Sequence, residues 1–309
     1  MPKRWTFFRR TYAPRVEEIS PAPENAPEPV DDGPSTLDPL ARPLRLTYSD
    51  AQTAADWLAA LADISAVSSY KSLSYDLLDL KPGETLADIG CGVGDDARAL
   101  AARVAPDGEV IGLDASPEMI DRANAAGILP GLRFEVADAA ALPLADASCD
   151  AVRADRMLQH LQDPLPALRE MRRVLKPGGR LVVVEPDWKT MAVYPGSASP
   201  DDDHVALTIF DWQAAHIKRP LIGRRLRALL AEAGFEQVAV NPVAYSTTRF
   251  VEADLVLELS DAVEHAAADW PERLSSEDAR DWRAAALAED AAGRFFASAP
   301  LYFGHAVAG

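Results

Sequence analysis

The sequence predicts an α/β fold: a doubly wound, mostly parallel sheet with helices on both faces. Three observations carry this. Five short apolar runs alternate with helical stretches between residues 85 and 185, the order that builds βαβ units. Helix starts there carry capping side chains, as in Ser116-Pro117 and Asp163-Pro164, each placing a cap before a proline at the first helical position. A glycine-rich run, Asp88-Ile-Gly-Cys-Gly-Val-Gly94, joins the first of these strands to the next helix, where a sharp backbone turn is needed.

In chain order, residues 1–45 read as an arm outside the fold. Lys3, Arg4, Arg9, Arg10 and Arg15 make its start basic. Arg9-Arg10 is followed by Pro14, Glu17, Glu18 and Pro21 rather than an apolar core, so no export signal is expected. Seven prolines fall in residues 20–43, too many for a packed segment. Residues 46–309 read as one domain. It opens with cap helices over 46–80, one from Ser49 or Asp50 through Ala62 and one from Ser68 to Leu80.

A core follows over 81–185, with strands Thr85–Ile89, Glu109–Leu113, Leu132–Val136, Asp150–Ala154 and Arg180–Glu185. Helices Asp95–Val104, Pro117–Asn124 and Pro164–Leu175 separate them. Lys176-Pro177-Gly178-Gly179 reads as a turn. Leu221–Ala233 reads as a helix ended by Gly234, and Phe235–Val240 as a strand. Residues 186–219 and 245–298 read as insertions, the second helical over 251–292; Leu301–Val307 reads as the final strand.

Composition narrows the function. Hydrophobic residues make up 48% of the 309 and the net charge is −17. So acidic a chain lacks the basic face that nucleic acid requires and is disfavoured at an anionic membrane. No apolar run reaches the ~18 residues of a bilayer span. Cys91 and Cys149 read as small reduced core residues. A cytoplasmic protein with a small-molecule partner is expected, no metal site is, and a homodimer stays compatible.

The glycine run is the most informative feature. A dinucleotide fingerprint needs a third glycine at position 95; Asp95 and Asp96 stand there. Two carboxylates repel a pyrophosphate but tolerate a cationic ligand. An adenosyl sulfonium bearing an amino acid therefore fits better than a nicotinamide dinucleotide. Asp114 ends the second strand, 24 residues after Gly90, where an acid can accept from both hydroxyls of a ribose. Asp138, after the third strand, can accept from an adenine amine while the Ala139 N–H donates to the ring.

The stretch from Pro82 to Glu185 resembles the core of class I S-adenosylmethionine-dependent methyltransferases of the UbiE-like, methyltransferase-11 group. The resemblance rests on the glycine run, Leu113-Asp114-Ala-Ser-Pro-Glu-Met119, Ala137-Asp138-Ala139, Asp155-Arg-Met-Leu-Gln-His160 and Val174-Leu-Lys-Pro-Gly-Gly-Arg180, about a third of the chain. Glu185-Pro-Asp-Trp188, Ile222-Gly-Arg-Arg225 and the segment Phe295–Gly309 resemble a subgroup with a longer substrate-side insertion.

It implies a Rossmann-like seven-stranded sheet whose last strand is antiparallel, with helical lid insertions. It implies S-adenosyl-L-methionine as cofactor and methyl transfer to a small molecule, a secondary metabolite being the expected class. Asp88, Gly90 and Gly92 would lie beside the methionine moiety, Asp114 at the ribose, and Asp138 and Ala139 at the adenine. Arg156 would lie at the amino-acid end. Cys91, Ala115 and Met119 belong to the same motifs and count among the expected contacts. Lys71 stands where relatives carry arginine.

Methyl transfer from a sulfonium needs alignment and exclusion of water more than a strong base. His160, at the mouth of the fourth strand, and His216, in the lid, are the candidates for proton removal. Trp188, Trp212 and Phe210 are candidates for an aromatic pocket wall. The rival readings are a protein of the same fold that catalyses a non-methylating step such as cyclisation, a cofactor-binding regulatory protein, and a nicotinamide-dependent dehydrogenase.

Overall fold

The computed structural model describes residues 64–194 and 200–309. The expected arm and the helix from Ser49 or Asp50 through Ala62 lie outside them. After helix α1 (Ser65–Leu77) the chain alternates β1 (Thr85–Ile89), α2 (Asp95–Val104), β2 (Glu109–Asp114), α3 (Pro117–Ala125), β3 (Leu132–Val136) and β4 (Cys149–Asp155). A 3-10 turn (Leu158–His160), α4 (Leu165–Val174), β5 (Leu175–Pro186) and a short β6 (Ala192–Tyr194) follow. The rest comprises α5 (Pro200–His216), α6 (Ile222–Glu232), β7 (Phe235–Thr247), α7 (Phe250–Leu257), α8 (Leu259–Asp269), α9 (Ser276–Ala291) and β8 (Phe296–Ala308).

These strands form one sheet in the order β3-β2-β1-β4-β5-β8-β7. The first five are parallel, and β8 runs antiparallel to both β5 and β7. Both β6 and β7 pair with Ala297 and Ser298 of β8. A strand has two edges, so β6 lies on the edge that β5 occupies and extends that row. The seven-stranded sheet with an antiparallel last strand is thus present, with β6 as a three-residue addition.

The strand interiors are apolar on both faces because both are covered. Leu86, Val110, Phe134, Val182 and Val184 pack against α1, α2, α3 and the helical insert. The alternate residues Ala87, Ile89, Ile111, Val152 and Val183 pack against α4 and α6. The helix starts follow their caps. Ser116 Oγ accepts from Met119 N at 3.3 Å with Pro117 in the first turn, and Asp163 Oδ1 accepts from Leu165 N at 3.1 Å.

Three segments differ from the sequence reading. Leu175 already pairs with Cys149, and Arg180 with Ala151. Lys176–Gly179 is therefore a bulge within one long strand, with Gly178 at φ +76°. The last two long strands have thirteen residues each, since each supplies the other with partners along its whole length. The helical insert is broken at Glu258, which adopts φ 52° and ψ 42°. Among the described residues no helix is long and apolar enough to cross a membrane.

Gly94 closes the glycine run. It has φ +82°, its N–H donates to Cys91 O at 3.0 Å, and a Cβ there would lie 2.4 Å from the Phe134 ring. Gly94→Ala is expected to cost roughly 2–4 kcal/mol, from left-handed strain plus overpacking. Urea unfolding checks it, and an unchanged midpoint refutes it.

Candidate active site

The glycine run turns because its amides are spoken for. Gly90 N and Cys91 N both donate to Leu113 O, at 2.7 and 3.1 Å. Gly92 N donates to Asp114 Oδ2 at 2.9 Å. The loop is thereby stitched to the end of β2, and Asp114 is oriented by a second bond, from Ser116 N to Oδ1 at 2.9 Å. Gly90, at φ +75°, lies so close to Met157 that a Cβ would meet Cγ at 2.6 Å.

Beneath the loop sits a buried charge cluster centred on Arg153, 1% exposed. Its guanidinium donates to Asp88 Oδ1 at 3.1 Å, Asp155 Oδ2 at 2.7 Å and Ser74 Oγ at 3.1 Å. It also pairs with Asp96 Oδ2 at 3.1 Å. Asp96 further takes the Lys71 ammonium at 2.8 Å and the Tyr75 hydroxyl at 2.5 Å. Burial pushes the Asp88 carboxyl up to about 6 against the pull of Arg153. Burial opposes ionisation of Asp96 too, but Arg153 and Lys71 overcome it and hold its pKa well below the ordinary value.

Above the loop is a cavity of about 440 Å³. One side is formed by strand ends and the loops after them, with Gly90, Gly92, Asp114, Ala115, Asp138, Ala139 and Arg156, together with Met119 from the first turn of α3. The other is formed by later parts of the chain, among them Trp188, Met191, Ile217, Tyr245, Leu257, Glu258 and Leu301. His160, at the end of the 3-10 turn, also lines the cavity and is an exposed residue. Packing around that ring, then the charges of Arg156 and Lys218, lower its pKa, so the imidazole is neutral at neutral pH.

Its turn is clasped from below by Glu185, which is fully buried and accepts from Leu158 N at 2.6 Å. Burial pushes the Glu185 carboxyl up to about 8, its backbone hydrogen bonds opposing the shift.

Three expected residues lie off the cavity wall. Asp88 is underneath, turned into the Arg153 cluster. Cys91 is tucked against Gly112, and burial raises its thiol pKa, so it stays protonated. His216, expected to reach into the site from the lid, does not line it. On α5 it lies one turn from Trp212, to whose carbonyl Nδ1 donates at 2.8 Å while the rings stack at 4.0 Å. Trp188 lines the cavity; Trp212 and Phe210 are core residues.

Sequence reasoning missed Tyr70 and Asp155, both on the cavity wall. Tyr70 Oη and Asp155 Oδ1 are buried without a hydrogen-bond partner among the described residues, although Arg156 Nε approaches that Asp155 oxygen to 3.7 Å. Asp155 lay inside a quoted motif; Tyr70 carried no local signal, because only the packing of α1 brings it here. Lys71, beside it, is occupied by Asp96.

Residues 87–183 match the family model for a methyltransferase domain, and residues 45–128 match that for protein-L-isoaspartate (D-aspartate) O-methyltransferase. A 37.1 kDa protein of a Streptomyces fradiae transposon is 40% identical over 253 residues, 80% of this chain and 69% of that one. The ubiquinone/menaquinone biosynthesis C-methyltransferase UbiE of Ectopseudomonas mendocina is 33% identical over 186 residues, 56% of this chain and 73% of that one. The chain belongs to the S-adenosylmethionine-dependent methyltransferases. A further relative, the 27-O-demethylrifamycin SV methyltransferase of Amycolatopsis mediterranei, is 41% identical over 111 residues, 35% of this chain and 40% of that one. As a member of the family, this methyltransferase takes S-adenosylmethionine as its cofactor.

Glu185 gives the methyltransferase a pH signature. Between the ordinary carboxyl pKa and about 8, the folded state keeps a proton that the unfolded chain has lost. Stability therefore falls as pH rises through that window, by at most about 1.4 kcal/mol per pH unit for one proton. Glu185→Gln is expected to flatten the slope between about pH 5 and 8. Urea unfolding across that range measures it, and parallel slopes for both proteins refute it.

Proposed function

We propose that the methyltransferase methylates a small, largely apolar molecule of the secondary-metabolite type, which enters from the side of the cavity built by the later chain. The observation that carries this reading is the continuity of one cavity from the glycine loop to an apolar wall formed by Trp188, Met191, Ile217 and Leu301. The net charge of −17 supports a small acceptor over a nucleic acid. Similarity to a methyltransferase of 27-O-demethylrifamycin SV supports the substrate class.

The strand-end side suits the cofactor. Asp114, oriented by two amides, keeps lone pairs for the ribose hydroxyls, and the adenine is assigned to Asp138 and Ala139. Gly90 and Gly92 let the amino-acid end approach the backbone. Asp155 Oδ1 and Tyr70 Oη, buried and without a hydrogen-bond partner among the described residues, suit an ammonium and a carboxylate. When bound, S-adenosylmethionine supplies an electrophilic methyl carbon on its sulfonium. The chain's own work is to align the acceptor with that carbon, exclude water with apolar walls and take up the acceptor's proton. His160, neutral and on the wall of the same cavity, is the proton acceptor; His216 has no part in it.

Calorimetric titration with S-adenosylhomocysteine tests the assignment. Asp114→Ala is expected to weaken binding by at least about tenfold, the loss of ~1.4 kcal/mol of charge-assisted hydrogen bonding. Asp138→Ala, at a more exposed site, is expected to weaken it less. Unaltered affinity in Asp114→Ala refutes the reading.

A further inference from the structure

Among the described residues, Trp188 brings the largest ring to the cavity lining, and its place is set first by its own backbone. Asp187 Oδ1 accepts from Lys189 N at 3.1 Å, an Asx turn just past the end of β5. Arg224 donates to the same carboxylate at 2.9 Å, and Trp188 N donates to Pro220 O at 2.9 Å. The turn is thereby pinned to α6 and to the segment before it.

The ring is then held at its edge. Trp188 Nε1 donates to Gln159 Oε1 at 2.7 Å. Gln159 is buried and also lines the cavity. Its Nε2 donates to Arg156 O at 3.1 Å, and its backbone carbonyl accepts from Arg219 N at 3.2 Å. An indole N–H can be received only by the carboxamide oxygen, and Arg156 O only by the carboxamide nitrogen, so the two bonds together fix which way the amide points. Gln159 thus ties the turn after β4 to the turn after β5. Indole carries one polar atom, a donor. With that atom taken by Gln159, Trp188 offers the cavity carbon alone. A ring bonded at its edge and at its backbone cannot swing to suit different shapes. Met191, Ile217 and Leu301 complete the wall with aliphatic carbon and a thioether.

Resting on the proposed small-molecule methylation, we infer that Gln159 is a positioning residue: it holds the Trp188 indole as a fixed flat wall that selects a planar, unsaturated ring in the acceptor. Offset stacking on an aromatic face adds affinity beyond the area buried, and only a flat π-system gains it. A wall set in advance by hydrogen bonds loses no rotamer freedom when the ligand arrives. A puckered ring of the same carbon skeleton is as apolar but cannot lie flush against the indole. The selection is then one of shape rather than of hydrophobicity.

The test uses 2-naphthol and decahydro-2-naphthol, a flat and a puckered alcohol of one carbon skeleton, titrated calorimetrically into the full chain saturated with S-adenosylhomocysteine. The wild type is expected to bind 2-naphthol at least about threefold more tightly than the saturated alcohol. Gln159→Leu, which frees the indole, and Trp188→Phe, which keeps an aromatic ring but removes its N–H, are each expected to abolish that preference. The double variant is expected to lose nothing further, the mark of two residues acting as one. A ratio of two affinities is not moved by lost stability, so a merely structural role for Gln159 leaves it unchanged. If Gln159→Leu does not fold, Trp188→Phe, with Gln159 in place, decides alone. No binding of 2-naphthol, equal binding of the two alcohols by the wild type, or a preference that survives either substitution overturns the inference. Failure to bind S-adenosylhomocysteine at all would instead sink the methyl-transfer reading, so the two failures are distinguishable.

Discussion

The guanidinium of Arg153 is the point on which the site is built. It lies under the sheet's carboxyl edge and reaches three carboxylates from three elements: Asp88 at the end of β1, Asp96 in the first turn of α2 and Asp155 at the end of β4. Asp88 precedes the glycine loop and Asp96 follows it, so one side chain pins both ends of the turn. Ser74 and, through Asp96, Lys71 and Tyr75 tie α1 to the same centre. A charge buried this deeply is tolerable only with this many partners, and each partner alone would be an uncompensated carboxylate. The loop's shape, the setting of Asp155 and the docking of α1 therefore stand or fall together.

The parts that sequence reasoning reached are those with short-range causes. β1 to β5 read as apolar runs because both faces of a parallel sheet are covered. Ser116 and Asp163 announce the helices after them, and Gly90, Gly92 and Gly94 announce a turn. The missed parts have long-range causes. Alternation in Asn241–Thr247 and Phe296–Pro300 is weak, and alanine, serine and proline carry little strand preference there; those residues are strand because β7 and β8 pair with each other. Tyr70 faces the cavity only because α1 packs across the sheet. Glu258 breaks a helical stretch with no glycine or asparagine to mark it. His216 misled because its residue type suggests chemistry, whereas Trp212 one turn earlier claims its ring.

The cavity joins two kinds of surface. Its strand-end side is rich in backbone amides and short polar side chains set by hydrogen bonds to neighbouring strands, a surface able to recognise one polar ligand closely. The opposite side is set by packing among helices and the ends of β7 and β8, and is shaped more than it is hydrogen-bonded. His160 lines the same cavity, held by a turn whose amide Glu185 grips from the interior. The two surfaces are thus built by separate sets of residues, and one can change without disturbing the other.

The position of β8 in the sheet also orders assembly. β1 to β5 are contiguous in the chain and can pair as they emerge, but β8 must insert beside β5 after more than a hundred intervening residues have been placed. Ala299 and Leu301, which line the cavity, arrive only with that insertion. Closing so long a loop is entropically slow. The strand-end side of the cavity can therefore form early, whereas the opposite side is the last thing the folding chain completes.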